Sequence, residues 1–443
     1  MARRISTLAP ALLLVLVACT NDRESTTTSR GDIPTTTTTV TVPTTTDSDA
    51  TTTTSPQSPP TTEPDLSGVE GLSDEVKTQL EDLIRAAQEI RDLPFLTPPN
   101  IKVVTVEELE AIVREDIEEE SEDLPADEAL YKMLGLLAEG ADFEQIILDL
   151  YGEQVAGFYD GDTGEIVVPA RETGLSVLQR GTIVHELVHA LTDQHFSFFP
   201  RFREMIDEER LDEATAYQAL MEGDATLAEV LWVQTLSQRE IGEFIAESLG
   251  IDTSALDSAP RFLTESLIFP YDTGLSFVQD LYSRGDWSQV NDAYSTLAEL
   301  PGSSEQVISP DDYTRDLPRA VDIPSVSVIG YELQRTSVWG EQGFRIMLNQ
   351  GSGVETLATA ADGWGGDSYH QWFDGENAAM LIVYEGDTPG DVEELERALL
   401  DFALESFPEE RFAWVEVLDG RLFFIAADQV PIGEQIRAAV GLD

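Results

Sequence analysis

The chain has 443 residues, with 84 Asp and Glu against 26 Lys and Arg, and a formal net charge of −58. That length holds two or three domains, or one large domain with a tail. A surface this acidic repels the phosphate backbone and excludes DNA or RNA as a partner.

Lysine is confined to Lys77, Lys102 and Lys132, while arginine is used throughout. The excess of acid suits salty surroundings, where ions screen self-repulsion. There is no D-x-D-x-D-G loop of the kind that stores calcium, so most of the charge reads as a solvated face.

Met1-Ala-Arg3-Arg4 followed by an apolar run from Leu8 to Ala18 has the pattern of a secretory signal. The run ends Leu16-Val17-Ala18-Cys19, which resembles the lipobox of bacterial lipoproteins. The resemblance implies a signal peptide over residues 1–19, lipidation of Cys19, and an extracytoplasmic protein anchored to the cell membrane. Cys19 is the only cysteine, so no disulfide is expected. The apolar run is shorter than the ~20 residues that span a bilayer, and no later segment is long and apolar enough to do so. Residues 20–65 are Thr, Ser, Pro and Asp with little to bury, which predicts a disordered stalk.

Folded sequence is expected from residue 66. Apolar spacing predicts helices over 72–93 (with Ser73 at the start), 106–120, 127–137 and 143–151, and a strand at 101–105. Val155 to Val168 places two apolar runs around a Gly- and Asp-rich turn, which predicts a hairpin. A strand edge there could align an extended peptide.

Next comes Gly181-Thr-Ile-Val-His185-Glu186-Leu-Val-His189-Ala-Leu-Thr-Asp193-Gln-His195, which holds three of the four histidines. The apolar residues between them fall at helical spacing. His185 and His189 then sit one turn apart on one face, where both imidazoles can reach a single metal ion. Glu186 lies about 100° round the helix, placed to act as general base toward a metal-activated water.

Phe196 to Pro200 breaks the helical pattern, and 208–236 reads as a long helix. Further helices are expected from Tyr271 and over 287–297, loops over 301–324, and helix-like sequence over 330–348. The last segment, 363–443, reads β-β-α-β-β-α. The predicted class is therefore α+β: a mostly helical domain with a small sheet over 66–362, and an α+β segment over 363–443.

A catalytic zinc needs three protein ligands and an open position. His195 stands six residues past His189, the spacing of the metzincin pattern, but Thr192 occupies the position where that pattern has a glycine to turn the chain. Glu222, in Glu222-Gly223-Asp224-Ala225, offers a carboxylate from a second helix, where Gly223 would allow close approach. Glu213 is a third candidate. Asp193 and Asp224 are candidates to orient a ligand imidazole. Tyr271, Tyr369 and His370 are candidate donors to an oxyanion.

The stretch 185–193 resembles the active-site helix of thermolysin-type enzymes, and so the gluzincin branch of the zincin metallopeptidases. Gly157-Phe-Tyr-Asp160, His185 to Phe196, Glu222-Gly-Asp-Ala225, Ser304-Glu-Gln-Val307 and Gly363-Trp-Gly-Gly-Asp367 together also resemble a group of secreted bacterial proteins regarded as candidate metallopeptidases. The resemblance implies a zincin-like domain with Zn2+ on His185, His189 and Glu222, Glu186 as base, and a peptide or protein substrate. Glu222 lies farther from His189 than in the thermolysin pattern and lacks its spaced Asp. The alternative is a non-catalytic zincin-like lipoprotein that serves as a binding or scaffold module.

Overall fold

A computed structural model of the protein describes residues 72–442, apart from 120–122, 155–156, 170–173, 296–298, 312 and 351–354. The expected signal peptide, Cys19 and the stalk lie outside the described residues. Among the described residues no helix is long and apolar enough to cross a membrane.

The elements in chain order are α1 (Asp74–Arg91), β1 (Asn100–Val104), α2 (Val106–Glu119), α3 (Leu124–Met133), α4 (Phe143–Gln154), β2 (Phe158–Asp160) and β3 (Glu165–Pro169). Then follow α5 (Val177–Phe196), α6 (Phe198–Asp207), α7 (Leu211–Val233), α8 (Gln238–Ser248), α9 (Ser254–Ser258), α10 (Arg261–Ser295) and α11 (Ser304–Ile308). The chain ends with β4 (Glu332–Ser337), α12 (Gly340–Leu348), α13 (Glu355–Ala358), β5 (Trp364–Phe373), β6 (Ala378–Gly386), α14 (Pro389–Ser406), β7 (Phe412–Leu418), β8 (Arg421–Ala427) and α15 (Val430–Ala439). The class is α+β.

Side-chain caps set several helix starts. Ser73 accepts from the Val76 amide to open α1. Ser176 and Gln179 form a capping box at the start of α5, as Ser237 and Glu240 do for α8. Helix α5 stops at Ser197, which takes a left-handed conformation (φ 51°), so the chain turns at once into α6.

Helix α7 is the axis of the first core. Most of its residues from Ala214 to Ala228 are buried, which is why its sequence is apolar or small nearly all the way round. Helices α1, α5, α6, α10 and α11 pack against it. The small sheet has the order β1-β3-β2, with β1 parallel and β2 antiparallel to β3. Strand β2 is thus an edge, and it packs on α5.

The larger sheet is antiparallel, in the order β4-β5-β6-β8-β7. Alternation along β6 sends Met380, Ile382 and Tyr384 to a core shared with α2, α3, α4 and α14, and Ala379, Leu381 and Val383 to a core shared with α15. Both faces are covered, so β6 reads as a continuous apolar run rather than an alternating one.

Four expectations differ from the structure. Residues 330–348 contain a strand, β4, before α12; Glu332 to Ser337 are mostly solvent-facing, so their polar character hid the strand. Because β4 pairs with β5, a boundary at residue 363 would cut this sheet. Tyr271 does not open a helix: α10 starts at Arg261, runs through Pro270 and breaks at Gly285 and Asp286. The third helix starts at Leu124 and ends at Met133, with Pro125 in its first turn and Gly135 left-handed just beyond.

Candidate metal centre

Two helices build the centre. Helix α5 presents His185 and His189 from successive turns of one face, and α7 presents Glu222 opposite them. His185 Nε2 and His189 Nε2 lie 3.0 Å apart. Glu222 Oε2 lies 3.1 Å from the first and 3.2 Å from the second. Three donors at the corners of a zinc tetrahedron, with bonds of about 2.0–2.1 Å, stand about 3.3 Å apart. The three side chains already hold nearly that spacing. All are buried, with exposures of 5% for His185, 3% for His189 and 2% for Glu222.

Glu186 is fully buried beside them. The Tyr159 backbone amide, at the edge strand β2, donates to its Oε2 at 2.8 Å, while its Oε1 has no hydrogen-bond partner. Burial, with the charges of Glu222 and Glu229, raises its pKa well above the usual carboxylate range despite His185 and the Tyr159 amide. A carboxylate with one oxygen fixed and the other unpartnered is suited to take a proton.

For His185, burial opposes the charged ring, but the hydrogen bond to Glu222 and the nearby carboxylates of Glu229 and Glu186 outweigh it and push the pKa up to about 10. Burial likewise works against the charge on Glu222, and the two histidines more than offset it, so its pKa falls. A metal ion competes with a proton for these groups. The donor set of two imidazoles and one carboxylate fits zinc.

Glu229 is not among the candidates that the sequence motifs mark. It lies two turns beyond Glu222 on α7 and is 3.7 Å from His185 Nδ1, the nitrogen that faces away from Glu222. At that distance the carboxylate acts through its charge, favouring a proton on the Nδ1 that faces it. The signal was the seven-residue spacing from Glu222, which keeps both glutamates on one helical face.

The other candidates go elsewhere. His195 Nε2 donates to the Pro94 carbonyl at 2.7 Å, at the far end of α5. Glu213 pairs with Arg210 in the first turn of α7. Asp193 does not bond a ligand imidazole here; it accepts from the Tyr159 hydroxyl and the Phe199 amide. Asp224 binds Arg91 in a fully buried two-point ion pair, 2.7 and 3.1 Å. Of the oxyanion candidates, Tyr271 stacks beside His185 with ring centroids 6.3 Å apart. Tyr369 and His370 belong to β5, where His370 bonds Thr336 and Tyr369 packs on Trp339.

Gly223 does not serve the α5–α7 contact. Its missing side chain admits Gly274 of α10, whereas Gly181 of α5 is the glycine that faces Glu229.

A family model described as a domain of unknown function (DUF8575) matches residues 328–426. That stretch runs from just before β4 into β8 and contains none of the metal-centre residues. No curated protein and no solved structure matches the chain.

Proposed function

We propose that this protein is a zinc-dependent metallopeptidase with a zincin-like, gluzincin-type centre, held outside the cytoplasm by a lipid on Cys19 and acting on peptides or proteins. The observation that carries the reading is the convergence of His185, His189 and Glu222 with Glu186 beside them, one oxygen held and one unpartnered.

His185, His189 and Glu222 would hold the zinc, which supplies the Lewis acidity that activates water and polarises a carbonyl. Glu186 takes the proton through Oε1, while Tyr159 N–H keeps Oε2 in place. Glu229 favours a proton on His185 Nδ1. Tyr271, whose ring stacks 6.3 Å from that of His185, is the oxyanion-donor candidate of this reading. A cavity of about 300 Å³, lined among others by Leu211, Thr215 and Gln218 of α7, has none of the four central residues in its wall.

One observation favours a second reading, a non-catalytic zincin-like module. The four central residues are no more than 5% exposed, so a peptide would have to displace what covers them. Hydrolysis of a peptide library by the zinc-loaded protein separates the two. Cleavage that disappears in Glu186→Gln, with zinc content unchanged, supports the peptidase. Full zinc loading with no cleavage of any peptide leaves the binding module.

A further inference from the structure

The two other stretches singled out in the sequence, Ser304–Val307 and Gly363–Asp367, do not reach the histidine centre. They meet at a different cluster. Glu305 stands in the first turn of α11, Asp316 in the loop after it, and Asp387 in the turn between β6 and α14. Each offers a carboxylate oxygen, and these oxygens lie within 4.8 Å of one another.

Charge crowding alone would not make this a site. The decisive group is Glu305, which is only 6% exposed and whose Oε2 has no hydrogen-bond partner. A buried carboxylate oxygen left unpaired is costly. Among the described residues no hydrogen bond reaches the Glu305 carboxylate, and one of its oxygens lies within 4.8 Å of oxygens of Asp316 and Asp387. Arg319 binds Asp387 and the Gly386 carbonyl. The Gly365 backbone approaches so closely that a Cβ on it would meet the Arg319 guanidinium, so the arginine is held against Asp387. Arg345 is occupied by Glu341 and Asp362. Burial, with the charges of Glu341, Asp316, Asp387 and Asp212, pushes Glu305 up to about 9. The cluster therefore calls for a proton or a cation.

We propose that Glu305, Asp316 and Asp387 form a second metal site, separate from the histidine centre, that binds one calcium-type divalent cation and ties α11 to the β6–α14 turn. An all-oxygen donor set selects a hard cation over zinc. A calcium shell is about 5 Å across, so the three oxygens reach it with little movement; waters would complete its six to eight ligands. Magnesium, with bonds of about 2.0–2.1 Å and a rigid octahedron, would draw the three segments closer together. The consequence is structural. Ser304 of α11 already bonds Asp212 of α7 and the Gln342 amide of α12, so a cation at Glu305 would extend that bridge from the α7 core to the larger sheet.

The test is calorimetric titration of the full-length, zinc-loaded protein with calcium chloride, and in parallel magnesium chloride, with melting temperature measured at each saturation point. Expected are one calcium per chain, a rise in Tm with calcium that exceeds the rise with equal magnesium, and at least a tenfold loss of calcium affinity in Glu305→Gln. The half-exposed Asp316→Asn gives the same loss and serves if Glu305→Gln does not fold. Glu222→Ala, which empties the histidine centre, leaves calcium binding intact. Absence of saturable calcium binding would overturn the proposal, and so would affinity unchanged in both carboxamide variants. A Glu305→Gln protein as stable without calcium as the unmodified protein with it would show that a proton occupies the cluster instead.

Discussion

Gly223 of α7 and Gly274 of α10 meet backbone to backbone: a Cβ on Gly223 would lie 2.2 Å from the Gly274 carbonyl oxygen, and one on Gly274 would lie 2.3 Å from that of Ala219. Neither partner is a flexible side chain that could swing away. The crossing sits immediately beside Glu222, so the position of this proposed ligand depends on two absent side chains. Gly223→Ala is expected to destabilise the fold by about 1–3 kcal/mol or more and to lower zinc occupancy. Urea unfolding and zinc content measure the two effects. A variant that keeps both would show that the crossing does not position Glu222.

Arg91 is fully buried, binds Asp224 at two points, donates to Asn291 Oδ1 at 2.7 Å, and lies 4.3 Å from the Trp287 ring centre. Removing one partner strands the other's charge in the core. Arg91→Met is expected to cost about 3–5 kcal/mol, and the double variant with Asp224→Leu distinctly less. Equal losses in the single and double variants would contradict the pairing.

In the proposed centre Glu229 is assigned a role through His185 and not on substrate. Glu229→Gln is expected to weaken zinc binding about 10–100-fold, measured by competition with a chromogenic chelator. Activity at saturating zinc should recover much of its value, which distinguishes a positioning residue from a base. In Glu186→Gln, zinc affinity should hold while hydrolysis falls at least 10²–10⁴-fold.

Asp212 gives stability a pH dependence. Burial, with the charges of Asp367 and Glu341, pushes its pKa from 3.8 up to about 7 against the hydrogen bonds from Ser304. A carboxyl group whose pKa is raised by folding contributes stability below about pH 4. That contribution is lost as pH rises through about 7. Between pH 5 and pH 8 the protein should lose stability from this group, on the order of 2–3 kcal/mol as an upper bound. Asp212→Asn should flatten the slope in urea titrations at the two pH values. An unchanged slope would assign the pH dependence to other groups.

The sequence was most legible where local rules act alone. The His185 and His189 spacing, the Ser73 start of α1, and the β-β-α-β-β-α order of the last segment each follow from periodicity or capping, and the structure has those elements in those places. Contacts distant in sequence were harder. Which acidic residue stands opposite the histidines depends on how α7 is rotated against α5, and spacing along one helix does not define that rotation. For the same reason the role of Glu229 and the Arg91–Asp224 pair, 133 residues apart, were not apparent. Strand β4 was missed because it is an edge with most of its side chains in solvent, so it lacks the apolar alternation that marks a half-buried strand.

The most direct test of the central claim is zinc content by elemental analysis of the purified protein, alongside Glu222→Ala and His195→Ala. The account predicts one zinc per chain, retained in His195→Ala and lost in Glu222→Ala. Zinc that disappears with His195 and survives without Glu222, or a protein that takes up no zinc at all on reconstitution, would contradict it.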